Sequence, residues 1–432
     1  MTSPSYIIVG SGVFGASTSL SLIRKYPSAS IILIDRDAFY APFRVAASWD
    51  WNKAVRADYR DILYTKLGLE AQLLWRTDPV WQPFYHQSGV MWISSTAFTE
   101  QVLKNFAELG VEVDIRAYSV EEARALYGGL FEDADYTGVK QVLVNRTSGW
   151  AEAKEALQNT IKTAVGLGVK YVTAEVTALE FEDSPGRKRC HGVKTAIGES
   201  IGADRVILCT GAFTPKLLVD SAPEWTDLHV GDRIIAAAVT EAIAPLTAEQ
   251  YHILDTMPVA INDNPTEYGE NLGCLPLPKI NALKYWGQII FRNTLEHHIT
   301  RKPLSMPPLK SDYAQWDVPL ALKDDVRRGP ESMFGRKKVN QELEKFRICW
   351  EALTPSQDFI VSPHSACDGL YVATCGSFHG FKFLPVLGKY VVEMLCGELE
   401  PKLRERWAWD RELPPTKVNS KWPKRDLIAL SE

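Results

Sequence analysis

Gly10-Ser11-Gly12-Val13-Phe14-Gly15 is the first stretch whose residue types and spacing carry chemistry. Gly10 permits a tight turn, Gly12 lets a pyrophosphate approach the backbone, and Gly15 lets helix and strand pack closely; Val13 and Phe14 complete the loop. A helix starting there presents unpaired N–H groups and its positive dipole end to phosphates. Asp35 lies about 20 residues further on, where a carboxylate accepts hydrogen bonds from an adenosine ribose, and Arg36 stands beside it. The chemistry is dinucleotide binding. The motif alone does not say which dinucleotide.

These residues need elements to hold them. Tyr6-Ile7-Ile8-Val9 is a continuous apolar run, as a strand buried on both faces of a parallel sheet requires. Ala16 to Ile23 reads as a helix, and Ile31-Ile32-Leu33-Ile34 as the next strand, ending in Asp35. The order is strand, glycine turn, helix, strand, acid. A second marker is Ala203 to Phe213, a buried-type strand ending in Thr210-Gly211-Ala212. Flavoproteins of the two-domain type use such a strand to return the chain beside FAD, although Gly211 equally suits a plain strand-ending turn. Tyr171 to Phe181 reads as one further strand, with Val176 a candidate adenine contact.

Composition narrows the class. The chain has 432 residues, 46% of them hydrophobic, and a net charge of -5 from 48 Lys and Arg against 53 Asp and Glu. That length is ample for a core, and the charge argues against a nucleic-acid footprint. Seven cysteines without a CxxC pair argue against a disulfide framework or a structural metal site. No apolar run reaches the roughly 20 residues of a membrane helix, and no secretion signal is evident at the start. A cytoplasmic enzyme without membrane or nucleic-acid partners is expected, and the sequon Asn145-Arg146-Thr147 is read as chance.

Further motifs carry a resemblance. They are Asn52-Lys53 with Arg56, Thr77 to Tyr85, Ser148-Gly149-Trp150-Ala151-Glu152-Ala153-Lys154, Cys349-Trp350, His379-Gly380-Phe381-Lys382, and Leu384 to Lys389. With the glycine motif they span nearly the whole chain. Together they resemble the monomeric sarcosine oxidase family of flavoenzymes, especially its fungal branch of fructosyl-amino-acid (amadoriase), saccharopine and pipecolate oxidases. The resemblance implies an α/β, two-domain flavoprotein oxidase with a Rossmann-like FAD-binding domain and a mixed-sheet substrate domain. The FAD-binding domain is expected from 1–85, 146–215 and 340–432, and the substrate domain from 86–145 and 216–339.

By the same resemblance Cys349 carries FAD through an 8α-S-cysteinyl thioether, although a lone cysteine is commonly an inert buried hydrophobe. Arg56 and Lys382 form the substrate carboxylate clamp. For Arg56 the competing reading is a solvated charge beside Asp58 and Asp61, whereas Lys382 among Phe381, Phe383 and Leu384 needs an anion nearby. Lys284, in the hairpin from Leu275, is the cation that activates oxygen, with Lys279 its more solvated competitor. Lys53 and His379 lie near the flavin ring, although a lone histidine is more often a satisfied structural residue. Gly376 and Phe381, with Lys382, belong to the cofactor-binding turn, while Cys367 and Cys375 are read as packing residues. The family's Ser-Gly-His is Ser377-Phe378-His379 here, which places a phenyl ring at the active-site mouth. Segment 303–340 matches poorly, so sugar-recognising residues are not assigned.

The implied reaction removes a hydride equivalent from a secondary-amine amino acid to give an imine, with dioxygen reduced to hydrogen peroxide. The expected partners are that small amine and O₂, and the expected state is a monomer. A flavin dehydrogenase using an electron carrier and a noncatalytic dinucleotide-binding protein are the rival readings. No Asp or Glu base emerges from the sequence.

Overall fold

The computed structural model describes residues 4–184, 186–254, 256–265, 271–309, 315–338, 342–412 and 422–431. Tyr6–Val9 is buried throughout, as an unbroken apolar run in the centre of a parallel sheet must be. The six-stranded sheet runs Ile360–Pro363, Leu370–Thr374, Arg205–Leu208, Tyr6–Val9, Ile31–Asp35, Lys170–Thr173. Neighbours are parallel except the edge pair Ile360–Pro363 and Leu370–Thr374. The helix Val13–Lys25 begins directly after the glycine turn, three residues before the expected start, because Ser48 Oγ accepts from the otherwise unpaired Val13 N–H at 3.1 Å. This helix packs beside Ala153–Gly166 and Leu387–Cys396.

The single strand expected from Tyr171 to Phe181 is two. Lys170–Thr173 ends the six-stranded sheet, and Val176–Ser184 opens an antiparallel one with Arg187–Thr195. Between them Ala174 N bonds Asp35 O at 2.8 Å, whereas Glu175 O accepts from Ala196 N at 2.8 Å. The chain therefore changes sheet at this point, and Val176 starts the second strand.

A ten-stranded mixed sheet forms the other large layer. It contains Val90–Ile93, Gln141–Asn145, Ile235–Pro245, Leu272–Leu277, Ala282–Trp286 and Glu344–Leu353. The apolar run at Arg233 becomes a strand from Ile235 that continues to Pro245. Glu344–Leu353 pairs with it in antiparallel register, Val239 facing Cys349, so the segment after 340 contributes to both large sheets. Residue 340 itself lies outside the described residues. The expected hairpin forms, with Leu275 opposite Lys284. A three-stranded sheet of Lys53–Val55, Gly149–Ala151 and Tyr85–His86 stands beside these layers. Among the described residues no helix is long and apolar enough to cross a membrane.

Candidate active site

The glycine turn opens one end of a cleft of about 1500 Å³, open mouth included. Gly10 has φ +96°, and a Cβ on it would stand 2.5 Å from Cys209 O, so only glycine fits. A Cβ on Gly15 would lie 1.8 Å from Gly10 O, which makes that glycine the contact between helix and turn. Gly10, Gly12, Val13, Phe14, Asp35, Arg36, Val176, Gly211, Gly376 and Phe381 all line the cleft. Gly15, Cys349 and Lys382 are not among its lining residues.

Asp35 Oδ2 accepts from Ser11 N at 2.7 Å, Ser11 Oγ at 2.9 Å and Arg44 Nη2 at 2.8 Å. Arg44 is buried, and its Nε and Nη1 have no partner among the described residues. Buried donors of a permanent cation are costly unless an anion meets them. An open glycine cradle, a helix N-terminus, an acid and an arginine with unmet donors together suit a dinucleotide pyrophosphate and ribose. The FAD fit is thus met by the residues present.

Beyond the cradle the strand Glu344–Leu353 brings charge to the cleft. Its period of two puts Arg347, Cys349 and Glu351 on one face. Cys349 is buried; its Sγ lies 3.9 Å from Ala47 O and 3.8 Å from Lys53 Nζ. Ala47 lines the cleft, so the thiol sits directly behind that wall. Burial pushes the thiol up to about 11, against the opposing pull of Lys53. Cys367 and Cys375 are buried elsewhere.

Lys53 and Lys284 belong to one buried ionic ring. Lys284 pairs with Asp50 and, at 2.9 Å, with Glu241; it also donates to Asn52 O at 3.0 Å. Lys53 pairs with Asp50 at 2.8 Å and Glu241 at 3.2 Å. Arg347 closes the ring at 3.7 Å from Asp50 and 3.8 Å from Glu241. Burial works against the Asp50 anion, yet Lys284, Lys53 and Arg347 hold its carboxyl well below the usual carboxylate range. The same ring holds Lys53 well above the usual lysine range: burial opposes its charge, and Asp50 leads the groups that outweigh it. Lys279, by contrast, is exposed and bonded to Glu152.

A second convergence surrounds Tyr59. The Arg56 guanidinium lies 4.6 Å from the Tyr59 ring centre and 4.6 Å from that of Trp92, and donates to Asp58 O. Lys382 Nζ lies 5.6 Å from the Tyr59 ring and donates to His379 O at 2.9 Å. Both cations thus reach one aromatic ring from different elements. Asp58 is fully buried and raised from its ordinary value by burial, with Arg56 opposing; it accepts from Asn145 Nδ2 at 2.6 Å. That buried bond withdraws the sequon from the surface.

His379 is engaged in packing. Its Nε2 lies 2.9 Å from Gln357 O and its Nδ1 3.3 Å from Tyr59 OH, and the ring stacks on Phe359 at 5.1 Å. It braces Tyr59, and through Tyr59 the two cations. Phe378 packs beside Ile235, Ala237 and Leu353. The turn that carries it has positive φ at Cys375 (70°), Ser377 (48°) and Phe378 (62°), a strain that surrounding bonds must hold. Ser377 N donates to Ala352 O at 3.1 Å and Phe378 N to Glu351 Oε2 at 2.6 Å.

Sequence reasoning did not single out Arg44, Asp50, Glu241, Arg347 or Glu351. A signal existed for two of them: alternation through Arg347-Ile348-Cys349-Trp350-Glu351 places both charges on the face of the cysteine. Arg44, Asp50 and Glu241 sit in segments without a motif.

The fold and cradle define a flavoprotein of the two-layer, FAD-binding type. A model of the FAD dependent oxidoreductase family matches residues 5–394, and the chain belongs to that family. It is 28% identical to the L-saccharopine oxidase of Schizosaccharomyces pombe over 93% of this chain and 92% of that one. It is 27% identical to the amino acid oxidase imqH of Aspergillus flavus over 90% and 92%. The structure resembles a modified fructosyl peptide oxidase from Aspergillus nidulans, with a TM-score of 0.84, 25% identity and 99% of each chain covered. It also resembles fructosamine oxidase (Amadoriase II) from Aspergillus fumigatus, with a TM-score of 0.81, 23% identity, and 100% and 97% coverage. The chain is therefore an FAD-dependent oxidoreductase.

Proposed function

We propose that this chain oxidises the C–N bond of an N-substituted amino acid and uses dioxygen as electron acceptor. The observation that carries this reading is the meeting of Arg56 and Lys382 at Tyr59. Two cations on one ring suit a carboxylate better than any neutral group, and fixing a carboxylate orients the rest of an amino acid. The relative named for L-saccharopine supports an amino-acid-derived substrate.

FAD would be held by Gly10, Gly12, Val13, Phe14, Gly15, Asp35, Arg36, Arg44, Val176, Gly211, Gly376 and Phe381, with Cys349 as its covalent anchor. When bound, FAD supplies a two-electron acceptor that oxygen can reoxidise with release of hydrogen peroxide. Lys284 and Lys53 serve the oxygen side. Their ring sets three cations against two carboxylates, so a net positive charge remains in a buried site, where it stabilises developing negative charge. His379 holds Tyr59 in place. We further propose a cytoplasmic monomer, with an FAD-binding domain from 1–85, 146–215 and 340–432 and a substrate domain from 86–145 and 216–339. In this division strand Glu344–Leu353 extends the substrate sheet.

The test is an anaerobic screen of secondary-amine amino acids for flavin bleaching, followed by peroxide measurement on admitting air. Bleaching with peroxide release supports an oxidase, and bleaching without peroxide indicates the dehydrogenase alternative. Yellow colour should stay with acid-precipitated native protein and leave Cys349→Ser. Colour released from both proteins would reject the thioether.

A further inference from the structure

We propose that Glu351 is the acidic member of the substrate site and receives the positively charged amine of the amino acid whose carboxylate Arg56 and Lys382 hold. The assignment rests on the amino-acid reading above and adds the residue that recognises nitrogen.

Three observations support it. Glu351 lines the cleft on the same strand face as Cys349. The cleft's other acids among the described residues are Asp35, Asp37, Glu175 and Asp220, so Glu351 is the one that the strand Glu344–Leu353 brings to it. Its Oε2 accepts from Phe378 N at 2.6 Å, whereas Oε1 has no hydrogen-bond partner among the described residues. Finally, one turn ties it to the carboxylate clamp. Phe378 N bonds Glu351 while the next residue, His379, offers its carbonyl to Lys382 Nζ at 2.9 Å. An ammonium-binding carboxylate and a carboxylate-binding cation are thereby tied to adjacent residues of one turn, the complement of a zwitterion.

The surroundings agree. Burial raises Glu351 from its ordinary value, while Lys53, the Phe378 N–H and Lys382 oppose, and Glu241 adds to the rise. Cys349 and Cys375 also face it, both buried thiols. A cationic ligand arriving at this acid relieves the cost of its burial.

Binding of a matched pair to the FAD-loaded protein tests the assignment, read as perturbation of the flavin absorbance without turnover. The probes are trimethylglycine, whose nitrogen is permanently cationic, and 3,3-dimethylbutanoate, the isostere that keeps the carboxylate but has an uncharged carbon in place of that nitrogen. Native protein should prefer trimethylglycine by about tenfold or more, the size of one charge-assisted contact in a shielded site. Glu351→Gln keeps an acceptor for Phe378 N–H and should abolish that preference while leaving 3,3-dimethylbutanoate binding within about twofold. An unchanged preference in Glu351→Gln would overturn the proposal. So would equal weakening of both ligands, which is what a mere anchor of the turn predicts. The native protein gives a second measurement independent of folding of the variant: the preference should shrink as pH falls through a midpoint above ordinary glutamate titration, and a constant preference would overturn the assignment. If neither ligand perturbs native flavin, the amino-acid reading itself fails and takes this one with it.

Discussion

Replacing Asp50 by Asn removes one charge from the buried ring at almost constant shape. In the native ring Lys53, Lys284 and Arg347 face Asp50 and Glu241, three cations and two anions, a net of one positive charge. Asp50→Asn leaves three cations and one anion, a net of two. Removing one member of a buried ion pair costs about 3–5 kcal/mol, because the partner stays buried and uncompensated. Glu241 remains 2.9 Å from Lys284 and 3.2 Å from Lys53, which places the expected loss at the lower end, about 3 kcal/mol. The double variant Asp50→Asn with Lys284→Met restores a net of one positive charge, with two cations facing one carboxylate. It should therefore be more stable than the single Asp50→Asn variant by about 1–2 kcal/mol, because within one ionic network the loss of Lys284 costs less once Asp50 is gone. The assay is urea unfolding followed by tryptophan fluorescence at fixed FAD and protein concentration, since a bound ligand shifts apparent stability. Added salt should leave the difference largely intact, because buried pairs are poorly screened. A loss below about 1 kcal/mol, or a double variant no more stable than the single one, would refute the ring as a coupled unit.

Three further outcomes follow from local geometry. Burial lowers His364 to about 4, its Nε2 lying 3.1 Å from Leu228 O. The unfolded chain therefore binds this proton more tightly, and native stability relative to His364→Asn should fall by about 3 kcal/mol as pH drops from 6.5 to 4; a pH-independent difference between the two proteins would contradict it. Gly15→Ala drives a Cβ into Gly10 O, so the turn and helix must separate. That protein should purify with little flavin, read as the ratio of flavin to protein absorbance, and a native ratio would sink the close-packing argument. Arg44→Met, made in a Cys349→Ser background so that FAD is exchangeable, should weaken FAD binding about tenfold to hundredfold in a fluorescence titration, the cost of losing charge-assisted donors. Unchanged affinity would show that the unmet Arg44 donors do not face the cofactor.

What the sequence by itself determined was local. The run Tyr6–Val9, the spacing of Gly10, Gly12 and Gly15, and the place of Asp35 follow from short-range sterics and strand burial, so they are legible residue by residue. Alternation likewise encodes the shared face of Arg347, Cys349 and Glu351, a signal that the sequence reading passed over. The meeting of Asp50 with Lys284, of Arg56 with Lys382 at one tyrosine, and of Arg44 with Asp35 depended on pairings between segments far apart in the chain. No local propensity specifies such contacts, because a charge is indifferent to its neighbours in sequence and responds only to what folding brings within a few ångströms. Tertiary structure alone decided that Lys284 lies in a carboxylate-bound ring, that His379 spends its nitrogens on packing, and that a strained turn holds an acid and a lysine together.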